Sequence, residues 1–83
     1  MHPQRTIRLF AGARQAVGQD SLSVAVADDA SAEQILAAIA AAAPQLSGLL
    51  PACRLVADQS YLEPQQTVAP GAELALIPPV SGG

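Results

Sequence analysis

A single long helical run, opened by Ser31 and closed by Pro44, lies between segments in which apolar and polar residues alternate. Ser31 with Gln34 three residues later matches a capping box, in which each side chain satisfies an orphan backbone N–H. Ile35, Leu36, Ile39, Ala40 and Ala43 recur at helical spacing and form one apolar face. Pro44 ends the run because its ring disfavours helical geometry at Ala43. A helix that is apolar on one face needs a sheet to cover, and the rest of the chain supplies strands.

Ile7 and Leu9 alternate with Thr6 and Arg8, which predicts a first strand from Arg5 to Ala11. Gly12 and Gly18 bracket a short helical turn from Ala13 to Val17. Leu22, Val24 and Val26 alternate with small residues, giving a second strand, Ser21 to Val26, antiparallel to the first. After the helix, Leu46, Leu49 and Leu50 are expected to cover a sheet edge. Cys53 to Ala57 and Ser60 to Leu62 read as two further strands joined through the turn residues Asp58 and Gln59. Ala72 to Ile77 is the last strand, with Leu74 and Leu76 on one face. This order predicts an α+β domain in which one main helix packs across one face of a mixed sheet.

An 83-residue chain buries only about 60 to 65% of the surface its unfolded form exposes, so one modest core is all it can build. Apolar residues make up 51% of the chain, but Phe10 and Tyr61 are the only aromatics, so the core is aliphatic. Net charge is −3, and Arg5, Arg8, Arg14 and Arg54 are too few and too scattered to track phosphates, which argues against a nucleic-acid partner. Lysine is absent, so no side-chain amine of the chain competes for an activated acyl group. A lone Cys53 excludes an internal disulfide and fits a reducing compartment. The opening residues carry neither a signal-peptide pattern nor an apolar span, so a cytoplasmic protein with no membrane partner is expected.

Pro78-Pro79-Val80-Ser81-Gly82-Gly83 differs in kind from what precedes it. Two prolines cannot continue a sheet and favour an extended exit, while Gly82 and Gly83 make the final peptide units thin and flexible. Fully extended, six residues reach about 20 Å. Such a tail can enter a narrow channel in another protein and present the carboxylate of Gly83 there. A carboxylate is a poor acyl donor until it becomes an acyl adenylate, after which sulfur can displace the nucleotide and leave a nucleophilic thiocarboxylate. Terminal glycines alone are weak grounds for chemistry, since chain ends are often glycine-rich without function. Joined to the apolar strand, the paired prolines and the element order, they carry more weight.

The ending Leu76-Ile77-Pro78-Pro79-Val80-Ser81-Gly82-Gly83 resembles the closing pattern of the small subunit of molybdopterin synthase, the MoaD-type sulfur carriers. Leu9-Phe10-Ala11-Gly12-Ala13-Arg14 resembles that family's Phe-Ala-x-x-Arg segment, followed by Val17-Gly18 as a common turn. The chain departs from the pattern in having Leu76 and Ile77 where many members have aromatics, and Gln15 where an acidic residue is frequent. The resemblance implies a β-grasp, ubiquitin-like domain over residues 1–77 and an extended Gly-Gly tail over residues 78–83. It implies that an adenylating enzyme of the ubiquitin-activating superfamily activates Gly83 with ATP and that a sulfur donor protein converts it to a thiocarboxylate. Pro78, Pro79, Val80, Ser81 and Gly82 would give the tail its access. The large synthase subunit, in a heterotetramer, would receive the tail and use its sulfur to build the dithiolene of molybdopterin from cyclic pyranopterin monophosphate. Phe10, Arg14, Leu76 and Ile77 are the expected docking residues. The carrier itself would be non-catalytic, with no permanently bound cofactor and no metal.

Plainer readings accompany each of these. A phenylalanine in a small aliphatic domain is more often core than docking surface. Arg14 fits a solvated loop as well as a partner contact. Cys53 fits a buried, inert small hydrophobe better than a sulfur relay. His2 stands without a second metal ligand nearby, and Asp28, Asp29 and Glu33 sit where they favour a helix N-terminus. A sulfur carrier for thiazole or cysteine biosynthesis, a ubiquitin-like protein modifier and an interaction module with an idle tail are the alternatives.

Overall fold

The computed structural model describes residues 4–69 and 71–78. Along the chain run β1 (Gln4–Leu9), α1 (Ala11–Val17), β2 (Ser21–Ala25), α2 (Ala32–Ala42), two 3₁₀ turns (Pro44–Leu46 and Leu50–Ala52), β3 (Arg54–Ala57), β4 (Ser60–Tyr61) and β5 (Leu74–Ile77). The strands form one sheet in the order β2-β1-β5-β3-β4. β1 and β5 are parallel, and the other neighbours are antiparallel, so the sheet is mixed as expected.

Burial follows the alternation. Ile7 and Leu9 of β1, Val24 of β2, Leu55 of β3 and Leu74 and Leu76 of β5 all turn to one face, where Ile35 and Ile39 of α2 cover them. Leu46, expected at a sheet edge, lies fully inside this cluster, with Leu49 and Leu50 half-buried against it. The core holds no aromatic ring.

The capping box at Ser31 is formed as the sequence predicts. Gln34 N–H donates to Ser31 Oγ at 3.2 Å and Ser31 N–H donates to Gln34 Oε1 at 2.9 Å. The two other free N–H groups of the first turn are taken by the segment after β4. Ala32 donates to the carbonyl of Gln66 at 2.9 Å and Glu33 to that of Pro64 at 3.0 Å. The helix start therefore anchors the long return segment to the domain.

Each strand is one or two residues shorter than expected, and for β1, β3 and β5 a local turn of the backbone is the reason. β1 stops at Leu9 because Ala11 adopts a φ of 50°, which leaves the extended path and opens α1. β3 begins at Arg54 because Cys53 N–H still closes the preceding turn on Leu50. β5 begins at Leu74 because Ala72 N–H donates to Ala69 across a turn.

Arg5 is the residue whose place was not foreseen. It shares the phase of Ile7 and Leu9 and is 5% exposed. Its guanidinium donates to the carbonyls of Val68 (2.7 Å), Ala69 (3.0 Å) and Asp28 (3.2 Å). One buried cation thus joins the start of β1 to two segments distant in sequence.

Candidate functional site

β5 is the middle strand, bonded to β1 on one side and to β3 on the other, so the point where the chain leaves the sheet is held from both flanks. Leu74 and Leu76 face the core with no exposed surface, whereas Ala75 and Ile77, in the opposite phase, are half-buried on the face away from α2. Pro78 follows, also half-buried. The expected tail residues Pro79, Val80, Ser81, Gly82 and Gly83 lie outside the described residues.

Strand register extends the outer face across the sheet. Ala75 is level with Arg8 of β1 and with Val56 of β3, and Val56 in turn is level with Tyr61 of β4. Ile77 is level with Arg54. Phe10 follows Leu9, the partner of Leu76, and so stands beside Ile77. Arg54 apart, these side chains line a groove of about 400 Å³ that opens beside the base of the tail, with Gln59 and Glu73 at its other end. Phe10 is 39% exposed and Tyr61 62%, and both aromatics of the chain therefore stand on this one face.

Each aromatic carries a cation. The guanidinium carbon of Arg8 lies 5.7 Å from the centroid of Phe10, and that of Arg54 lies 4.8 Å from the centroid of Tyr61. Such stacks contribute about 0.5 to 1 kcal/mol each at exposed sites and hold the rings upright beside the groove.

The structure makes two corrections, one to the expected docking set and one to the plainer reading set beside it. Leu76 is fully buried between Leu9 and Leu55, so it shapes the core and offers a partner no side chain. Phe10 is on the surface, so the reading that placed it in the core does not hold. Ile77 lines the groove, while Arg14 stands apart on α1, exposed and ion-paired with Asp20 at 2.7 Å. Arg8, Arg54, Val56, Tyr61 and Ala75 were missed. Arg8 and Ala75 could have been found from phase, since each alternates with buried neighbours.

Cys53 is buried as a small hydrophobe, and loss of hydration pushes its thiol above the usual cysteine range, which disfavours the reactive thiolate. Among the described residues no group of His, Cys, Asp and Glu is placed to hold a metal ion, and no helix is long and apolar enough to cross a membrane.

The model of the ThiS family matches residues 7–83. The chain is 35% identical over 82 residues to the molybdopterin synthase sulfur carrier subunit of Chlamydomonas reinhardtii, covering 96% of this chain and 99% of that one. It is 31% identical over 86 residues to the protein of the same name from Dictyostelium discoideum, covering both chains completely. Among solved structures, small archaeal modifier protein 1 of Haloferax volcanii superposes with a TM-score of 0.81 at 27% identity, over 93% of this chain and 98% of the other. The mixed sheet crossed by one main helix, the groove beside the base of the tail and the matched length agree: the chain belongs to the ThiS family and is a ubiquitin-like, β-grasp sulfur carrier of the MoaD type.

Proposed function

We propose that the chain is the sulfur-carrier subunit of a molybdopterin synthase and that the carboxylate of Gly83 is its working group. The observation that carries this reading is the end-to-end match to two relatives that bear that name, one of them over the whole of both chains. In the proposed cycle an adenylating enzyme brings the Gly83 carboxylate to the α-phosphate of ATP, and pyrophosphate leaves. The terminal sulfur of a donor protein's persulfide then attacks the acyl carbon and expels AMP. A thiol cleaves the resulting acyl disulfide, leaving the thiocarboxylate and a disulfide between that thiol and the donor. The large synthase subunit takes up this tail and uses its sulfur to form the dithiolene of molybdopterin from cyclic pyranopterin monophosphate.

The chain's own contribution is presentation. A strand bonded on both sides fixes the origin of the tail, so a partner that seats the adjoining groove also fixes where Gly83 arrives. Residues 1–77 then serve as the grip and residues 78–83 as the delivered group. Ile77 and Phe10 belong to the grip.

Intact-mass measurement of protein purified from its own cell tests the chemistry. A gain equal to replacing one oxygen by sulfur, on the last residue, is the expected result. Dithiolene formation with the cognate large subunit tests the pathway. Failure there together with success in thiazole synthesis would transfer the chain to that pathway. The likeness to an archaeal modifier protein favours a second reading, in which Gly83 is joined to lysines of target proteins. Higher-mass conjugates that vanish when Gly83 is deleted would support it.

A further inference from the structure

The face beside the tail carries an arrangement of charge that presentation of the tail does not by itself require. Of the four arginines, Arg5 is buried on backbone carbonyls and Arg14 is paired with Asp20. The other two, Arg8 and Arg54, both stand on the outer sheet face, and among the described residues neither is ion-paired. Arg54 is level with Ile77, at the end where β5 gives way to Pro78, while Arg8 is level with Ala75 midway along the face and reaches toward Phe10. The acidic residue of the groove, Glu73, lies at the opposite end, where its N–H is held by Asp58 Oδ1 at 2.9 Å. A chain of net charge −3 thus places both exposed arginines that are not ion-paired among the described residues on the one sheet face that carries the groove.

Stacking uses the flat face of a guanidinium and leaves the N–H groups in its plane free, so Arg8 and Arg54 are oriented and still able to grip a carboxylate in bidentate fashion. Cations placed only for solubility need no such shared location.

We propose that the protein surface receiving the tail, the large synthase subunit, seats an apolar side chain in the groove between Ile77, Phe10 and Tyr61 and presents carboxylates to Arg8 and Arg54. The proposal rests on the carrier reading above and adds the sign of the partner's charge. Complementary charge at the rim speeds encounter and sets orientation, so docking is steered with the base of the tail toward the partner's acidic side.

Calorimetric titration of the full chain into the cognate large subunit, in about 50 mM and about 500 mM NaCl, tests this. Arg8→Gln and Arg54→Gln are each expected to weaken binding about two- to five-fold at low salt, and Arg8→Glu/Arg54→Glu by about 100-fold. These differences should shrink at high salt, where screening acts within about 4 Å. Arg8→Lys and Arg54→Lys should keep most of the salt dependence, because they keep the charge. Gln45→Glu, on the 3₁₀ turn after α2, changes net charge as much as either glutamine variant and should bind like the parent chain. All variants are compared by circular dichroism and thermal unfolding, which should show the fold kept and the melting temperature lowered by no more than the loss of the exposed stacks on Phe10 and Tyr61.

Binding by the glutamine variants that equals the parent's, or a loss in Gln45→Glu as large as theirs, would overturn the proposal while leaving the carrier reading intact. Absence of any complex with the large subunit would remove the carrier reading's partner and the proposal with it. Self-association of the free chain that Arg8→Glu/Arg54→Glu abolishes would assign the face to a second copy and overturn the proposal as well.

Discussion

Leu76 and Ile77 are chain neighbours that serve opposite sides of the sheet: Leu76 has no exposed surface between Leu9 and Leu55, while Ile77 lies beside Arg54 on the outer face. Leu76→Ala should therefore cost about 2 to 5 kcal/mol in urea unfolding, a large part of what a domain of this size has. Ile77→Ala should cost about 1 kcal/mol and keep the fold, yet weaken binding to the large subunit, as titration of the folded variant would show. Equal losses of stability in the two variants would contradict this division of roles.

Arg5 predicts a second, purely structural effect. Replacing it with Met keeps much of the stem but leaves the carbonyls of Val68, Ala69 and Asp28 without their donor. A loss of about 2 to 4 kcal/mol is expected, because buried acceptors that lose a charged donor are costly. Hydrogen exchange should quicken first at Val68 N–H, which bonds to the carbonyl of Ala30 near the same junction. Arg5→Lys should recover part of the loss, since an ammonium supplies donors without the planar fork.

These residues also mark how far the sequence could be read. The alternation of Ile7 and Leu9, the pair Leu74 and Leu76, and the capping box of Ser31 and Gln34 are local, and each was legible. The phase of those strands also held the two corrections. Leu76 shares the inward phase of Leu74, and Phe10 shares the outward phase of Thr6 and Arg8, so a composition argument for Phe10 and a family argument for Leu76 were each weaker than the period of two. Arg5 was not legible, because its acceptors lie 23, 63 and 64 residues away. Tyr61 entered the groove only through the order β5-β3-β4, which no local pattern specifies.

Cys53 gives a prediction in pH. Burial raises its thiol above the usual range, so the folded chain keeps its proton at a pH where the unfolded chain releases it. Stability contributed this way is fully present below the unfolded thiol's range and is lost as pH rises through it toward the folded value. Urea midpoints should fall between about pH 8 and about pH 10 more steeply for the parent chain than for Cys53→Ala, with the difference vanishing near neutrality. A thiol reagent at neutral pH should react slowly with the native protein and quickly in urea. Fast reaction of the native chain would show that Cys53 is accessible, contrary to its burial.

The turn between β3 and β4 carries a strain that can be relieved. Ala57 pairs with Ser60, so Asp58 and Gln59 form a two-residue hairpin, and both have positive φ, at 48° and 69°. That is the conformation of a type I′ turn, which favours Asn or Asp followed by Gly. Asp58 suits its position, and its Oδ1 also accepts from Glu73 N–H at 2.9 Å. Gln59 has a Cβ in the left-handed region and no comparable local bond, so it carries the cost that glycine avoids. Gln59→Gly should stabilise the domain by about 0.5 to 1 kcal/mol, the relief of strain being reduced by the greater freedom of glycine in the unfolded chain. For a domain of this size that is a rise in melting temperature of roughly 2 to 8 °C. Asp58→Gly should give no such gain, because relief at that position is offset by loss of the bond to Glu73. A melting temperature unchanged or lowered in Gln59→Gly, with Asp58→Gly equal to it, would show that the turn is not the strained element.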